Sequence, residues 1–191
     1  MIDKSFISGL ILSGGAGRRL EGKDKGLQQF QQKPLIEHQI DWLADQVGEL
    51  IISANRHLVT YQQYGYLVVT DQREGYAGPL AGIEQGLQIM KNDWLFVLPV
   101  DVPLLPKILI HQLVQQIQFS DSAYYLVTDV REHYLCMLLN RSCHNTVSQL
   151  LNQKTYRVRD FLKQIKATPV NLNIEESAFR NLNYLADYQS V

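Results

Sequence analysis

The densest chemistry in the chain lies just past its first apolar run, where Ser13 to Lys25 reads SGGAGRRLEGKDK. Three glycines within four positions, Gly14, Gly15 and Gly17, allow positive φ and let several backbone N–H groups converge on one anion. Arg18, Arg19, Lys23 and Lys25 stand beside that concavity against only two acids, Glu21 and Asp24. This combination suits a phosphate chain. A second candidate is Asp101, which ends the apolar run LFVLPVD, Leu95 to Asp101. Mg²⁺ prefers a few carboxylate oxygens completed by phosphates and water, so one Asp opposite such a loop suffices as the metal ligand. Pro99 and Pro103 fix the backbone around it. The bland readings are a solvated glycine loop and an Asp capping a helix near Pro106.

These side chains need a scaffold, and apolar runs of strand length alternate with stretches of helical period throughout. That is the pattern of an α/β protein: βαβ units in three layers around a mostly parallel, Rossmann-like sheet. The predicted strands are Ile7 to Leu12, Leu50 to Ala54, Leu67 to Thr70, Trp94 to Leu98, Ala123 to Thr128, Leu135 to Leu139 and Pro169 to Leu172. One helix opens at Pro34, carries Ile36, Ile40, Leu43 and Val47 on one face and ends at a Gly48 cap. Pro79 opens another with Leu80, Ile83, Leu87 and Met90, and Pro106 a third with Leu109, Leu113 and Ile117. Between Tyr124 to Thr128 and Tyr134 to Leu139 only Asp129 to His133 intervene, too few for a helical crossover, so this short segment is antiparallel. In such sheets ligands bind beyond the carboxyl ends of the strands, where the glycine loop and Asp101 both fall. No linker or repeat divides the 191 residues, so a single domain is expected over 1–191.

Spelling discriminates among phosphate loops. A dinucleotide fingerprint needs a small residue where Leu20 stands and an acid after the second strand, where the chain has Ser53, Ala54 and Asn55. A Walker A loop matches from Gly17 to Lys23 but requires a hydroxyl where Asp24 stands, and a carboxylate there would crowd the phosphates.

The stretch GLILSGGAGRRLEGKDKGL, Gly9 to Leu27, resembles the signature of the molybdenum cofactor guanylyltransferase (MobA) family. Asp24, Lys25, Gly26 and Leu27 are its most diagnostic part. SANRH at Ser53 to His57, Asp71, YAGPLAG at Tyr76 to Gly82, and Asp101 with Pro103 agree with it as well. Ser53, Leu20 and Tyr134 stand where that family often has Asn, Met and Pro. The resemblance implies a nucleotidyltransferase sheet, Mg²⁺ as cofactor, and GTP and molybdenum-molybdopterin as substrates. GMP is transferred to the phosphate of the latter, pyrophosphate leaves and molybdopterin guanine dinucleotide results. It places the nucleotide on Leu12, Ser13, Gly14, Gly15, Lys25, Ser53, Asp71, Gly78 and Asp101. Lys25 and Arg19 would meet the phosphates, as a point charge and a planar fork. Asp71 offers acceptors to the two adjacent donors of a guanine edge, although it also suits a turn. Gly78, Pro79 and Gly82 would shape the pocket, or simply start a helix. For the acceptor, the cationic segment around Lys154, Arg157, Arg159, Lys163 and Lys166 is a candidate, with Tyr156 as a stacking ring; a solvated helix face is the alternative. His133, Arg131 and Asn183 are further candidates.

Composition sets the outer bounds. Lys plus Arg number 18 against 19 Asp plus Glu, so no global field favours nucleic acid or an anionic membrane. Cys136 and Cys143 lack metal-ligand spacing, and a reducing cytoplasm is expected. Ile7 to Leu12 is too short and interrupted for a membrane span. Protein partners, if any, are cofactor-insertion proteins and apo-molybdoenzymes. Two other functions share the loop: a transferase using CTP or a sugar phosphate acceptor, and a P-loop-like GTP-binding switch.

Overall fold

The computed structural model describes residues 3–14, 23–73, 75, 77–118 and 121–182. Strand β1 (Ile7–Leu12) is followed by the hairpin β2 (Gln29–Phe30) and β3 (Lys33–Pro34), helix α1 (Leu35–Leu43), β4 (Glu49–Ser53), α2 (Leu58–Gln62) and β5 (Leu67–Val69). Helix α3 (Pro79–Ile89) leads to β6 (Trp94–Pro99), α4 (Leu109–Val114), β7 (Ala123–Val127) and β8 (Glu132–Asn140). The chain continues through α5 (His144–Asn152), α6 (Val158–Gln164) and β9 (Thr168–Asn171). The main sheet has the order β5-β4-β1-β6-β8-β7-β9, and only β8 runs against its neighbours. This is the mostly parallel sheet expected from the alternation of elements, and the antiparallel segment falls where the short connection demanded it.

Strand β1 is buried at all six positions, as a central strand covered on both faces must be. Alternate residues feed two cores. Ile7 and Ile11 face α1 and α4, packed with Leu35, Leu43, Phe96 and Leu109, whereas Leu10 and Leu12 face the layer of α3 and α5 with Leu80, Ile83 and Val147. The α1 layer sits close: a Cβ at Gly9 would lie 2.8 Å from Leu43 Cδ2.

Helix limits differ from expectation in two places. Helix α1 begins one residue after Pro34 and stops at Leu43, and Gly48 is not its cap. Gly48 instead donates to Ile7 O at 2.9 Å and passes beneath Ser5, where a Cβ would have no room. Register with β1, not helix termination, requires it. Pro106 precedes α4 by a turn, its carbonyl accepting from Leu109 N at 3.2 Å, and Ile117 lies beyond the helix. Helix α3 opens at Pro79 as expected, after Gly78 with φ 67°, a conformation that favours glycine.

Candidate active site

The carboxyl ends of β1, β4 and β6 open into a cavity of about 1010 Å³, ample for a nucleotide and a second substrate. Three strands deliver its floor. Ser13 N donates to Ser53 O at 2.8 Å and Val100 N to Leu12 O at 3.1 Å, so the ladder extends one residue past the strands before the chains diverge. Leu12, Ser13, Gly14, Lys25, Ser53, Asp71, Gly78 and Asp101, separate in sequence, all line this space. Gly15, Arg19 and Asn183 lie outside the described residues, as do Gly17, Arg18 and Glu21.

Lys25 Nζ donates to Asp101 Oδ2 at 2.5 Å, joining the end of the glycine loop to the end of β6. Both side chains are largely buried. The other oxygen, Asp101 Oδ1, is buried and has no hydrogen-bond partner among the described residues. A buried carboxylate oxygen without a partner is costly, which fits a position that a cation completes. Asp101 does not cap α4, whose flanking residue is Ile108; its own carbonyl accepts from Leu182 N at 3.0 Å. No group of three or more His, Cys, Asp or Glu could hold a metal ion among the described residues. Mg²⁺ suits such a position, because it needs few protein ligands and completes its shell with substrate oxygens and water.

Asp24 is not placed to crowd phosphates. It is buried, and its Oδ1 accepts from Tyr61 Oη at 2.6 Å and from Gly26 N at 3.0 Å. Ser13 Oγ lies 2.6 Å from the same phenol. Burial foremost, with the bond to Asp24, pushes the Tyr61 hydroxyl far up, so it stays a neutral donor.

On the opposite wall Asp71 is held twice by one side chain. Asn55 Nδ2 donates to Asp71 Oδ2 at 2.8 Å, and Asp71 N donates to Asn55 Oδ1 at 2.9 Å. Burial raises the Asp71 carboxyl above its ordinary value against the pull of Asn55. Asn55, not Ser53, is thus the polar residue of the SANRH segment that organises this wall. Ser53 packs on α3, where Gly82 leaves room for its hydroxyl. Arg73 caps the wall: it forks onto Glu84 of α3 and reaches Ser148 Oγ of α5 at 3.1 Å.

The far end is built from β8 and the C-terminal segment. Arg131, His133, Tyr134, Cys136 and Asn181 line it. Glu176 gathers this corner, with Thr128 Oγ1 and Arg131 Nε each at 2.5 Å and His133 Nε2 at 3.2 Å. The imidazole stacks on Phe179 with ring centres 3.7 Å apart. Burial pushes His133 below its ordinary pKa despite Glu176. Cys136 is wholly buried and its thiol is pushed up by burial, so it is no nucleophile, and both cysteines are free. Tyr156 and Arg157 do not line the cavity; the Tyr156 carbonyl lies 3.8 Å from a Cβ built on Gly78, which does.

A glycine loop and an acid at adjacent carboxyl ends of a Rossmann-like sheet define the nucleotidyltransferase class, and solved structures agree on the fold. The chain superposes on molybdopterin-guanine dinucleotide biosynthesis protein A from Archaeoglobus fulgidus with a TM-score of 0.77, 19% identity and 95% of each chain covered. It superposes on CMP:2-keto-3-deoxy-manno-octonic acid synthetase with a TM-score of 0.74, 14% identity and the same coverage. Sequence narrows the class. Residues 9–169 match the MobA-like NTP transferase domain, and the molybdenum cofactor guanylyltransferase of Histophilus somni is 36% identical over 189 residues, 97% of each chain. The enzyme of that name from Shewanella piezotolerans is 34% identical over 178 residues, 93% of this chain and 87% of its own. The chain belongs to the MobA-like NTP transferase family.

Proposed function

We propose that this protein transfers GMP from GTP to the terminal phosphate of the molybdenum-molybdopterin cofactor, forming molybdopterin guanine dinucleotide and pyrophosphate. The observation that carries it is the meeting of Lys25 and Asp101 at one cavity, with Asp101 Oδ1 left for a cation. In the reaction an oxygen of the acceptor phosphate bonds to the α-phosphorus of GTP as the bond from that phosphorus to the pyrophosphate oxygen breaks. The acceptor oxygen is already anionic, so the protein supplies no covalent nucleophile. Its contribution is position and charge.

Mg²⁺, held by Asp101, would supply neutralisation of the charge gathering on pyrophosphate. Lys25 presents its ammonium to the phosphates from the loop end, with Arg19 as a second cation. Leu12, Ser13, Gly14, Gly15, Ser53 and Gly78 form the nucleotide surface, and Asp71, oriented by Asn55, accepts from the guanine edge. The acceptor enters from the side of Arg131 and His133, with Asn183, Tyr156 and Arg157 at its margin. A single domain carries both substrates. Two free buried cysteines suit a cytoplasmic setting, and no helix among the described residues is long and apolar enough to cross a membrane.

Incubation with GTP, Mg²⁺ and the molybdenum cofactor should release pyrophosphate and yield the dinucleotide. Orthophosphate and GDP released without acceptor would favour a GTP-hydrolysing switch instead. Tight CTP binding without GTP binding would move the substrate assignment to a cytidylyl transferase.

A further inference from the structure

Tyr61 lies in helix α2, outside the cavity lining, yet its hydroxyl is the hub of the loop's two ends. Its single proton goes to Asp24 Oδ1 at 2.6 Å, so the Ser13 hydroxyl at 2.6 Å must be the donor to the phenol oxygen. Ser13 is where the loop leaves β1, and Asp24 is where it returns. The hub is buried, Tyr61 having no exposure and Ser13 only 5%. Gly26 closes over it: a Cβ there would overlap both Ser13 Oγ and Tyr61 Oη. Gly26 N donates to Asp24 Oδ1 at 3.0 Å and Gln28 N to Lys25 O at 3.1 Å, so Lys25 is pinned from both sides.

We infer that Tyr61 is a positioning residue for phosphate binding: through Ser13 and Asp24 it sets the width of the loop mouth and the place from which Lys25 reaches. This rests on the reading of the loop as a phosphate site and goes beyond it by assigning a role to a side chain that touches no substrate. The role of Asp24 follows. Its carboxylate serves as an acceptor of two hydrogen bonds, not as a charge offered to metal or nucleotide.

The test is equilibrium binding of GTP, inorganic tripolyphosphate and guanosine to Tyr61→Phe, Asp24→Asn and Asp24→Ala, each checked for native near-UV circular dichroism. Tyr61→Phe should weaken GTP and tripolyphosphate alike, by about tenfold, with guanosine unchanged. Asp24→Asn, which keeps the accepting oxygen, should bind tripolyphosphate close to wild type, whereas Asp24→Ala should fall with Tyr61→Phe. Folded Tyr61→Phe within twofold of wild type for tripolyphosphate would overturn the assignment, and so would equal losses for all three ligands. If Tyr61→Phe does not fold, the Asp24 pair decides, and equal losses in Asn and Ala variants overturn the inference. Wild-type protein that binds tripolyphosphate but prefers CTP to GTP would sink the guanylyl reading alone.

Discussion

The two ends of the cavity are built differently. At the nucleotide end the groups stand on the parallel strands β1, β4, β5 and β6 or on the segments that leave them, and bonds between those neighbouring segments hold them: Asn55 to Asp71, Lys25 to Asp101. At the far end, on β8, the groups come from distant places, Glu176 binding Thr128, Arg131 and His133 across more than 40 residues. The first end is preorganised by the frame of the parallel sheet, which brings those segments to one edge. The second depends on the C-terminal segment docking, Leu182 N on Asp101 O. Phosphate handling needs a rigid cradle before substrate arrives. The far end is closed by a segment from elsewhere in the chain, and it is the side from which the proposed reading brings the acceptor.

The comparison breaks first at Asp101. Asp101→Ala should lower the rate of pyrophosphate release by about 10²–10³-fold while the fold survives, and full activity would remove it as the metal ligand. Gly26→Ala drives a methyl group into the Ser13–Tyr61 hub and should cost about 1–3 kcal/mol in urea unfolding, far more than a surface change. Asn55→Ala frees Asp71 and should reduce discrimination of GTP over CTP by about tenfold in competitive titration. Loss of nucleotide binding as a whole would instead make Asn55 part of the phosphate cradle.

The remaining effects are smaller and belong to the far end. Glu176 lies below the usual carboxylate range: burial opposes this, but Thr128, His133 and Arg131 outweigh it. His133 is lowered, so below the ordinary histidine pKa of about 6.5 the unfolded chain takes up a proton before the native ring does. Both groups make stability fall as the solution is acidified, His133 from its ordinary pKa downward to its native one. In Glu176→Gln the charge that raises His133 is gone, and its midpoint, read by NMR of the ring protons, should drop further. Tyr156→Ala and Arg157→Ala, outside the cavity lining, should change the acceptor KM by under about threefold, the scale of a rim contact.

Much of the first end was legible in the chain. Its four strands, β1, β4, β5 and β6, and the Pro79 helix opening follow from apolar runs and fixed proline geometry, since local pattern decides burial there. That Ser13, Gly14, Lys25, Asp71 and Asp101 would line one cavity was visible because strand ends in such sheets gather on one edge, whatever the intervening distance. Gly48 misled because a glycine after a helical pattern signals a cap, whereas here close packing on Ser5 and pairing with Ile7 demand it. Asp24 was legible as the residue that rules out a Walker A loop, but its partners, Tyr61 and Gly26, were not.

Sequence by itself determined the sheet, the loop that leaves β1 and the acid that ends β6, because each is written in neighbouring residues. Only the tertiary structure decided that Tyr61 joins Ser13 to Asp24, that Asn55 orients Asp71, and that Glu176 with Phe179 holds His133. These are meetings of single side chains 16 to 48 residues apart, and a hydrogen bond at 2.6 to 3.2 Å leaves no periodicity in the chain for a reader to find.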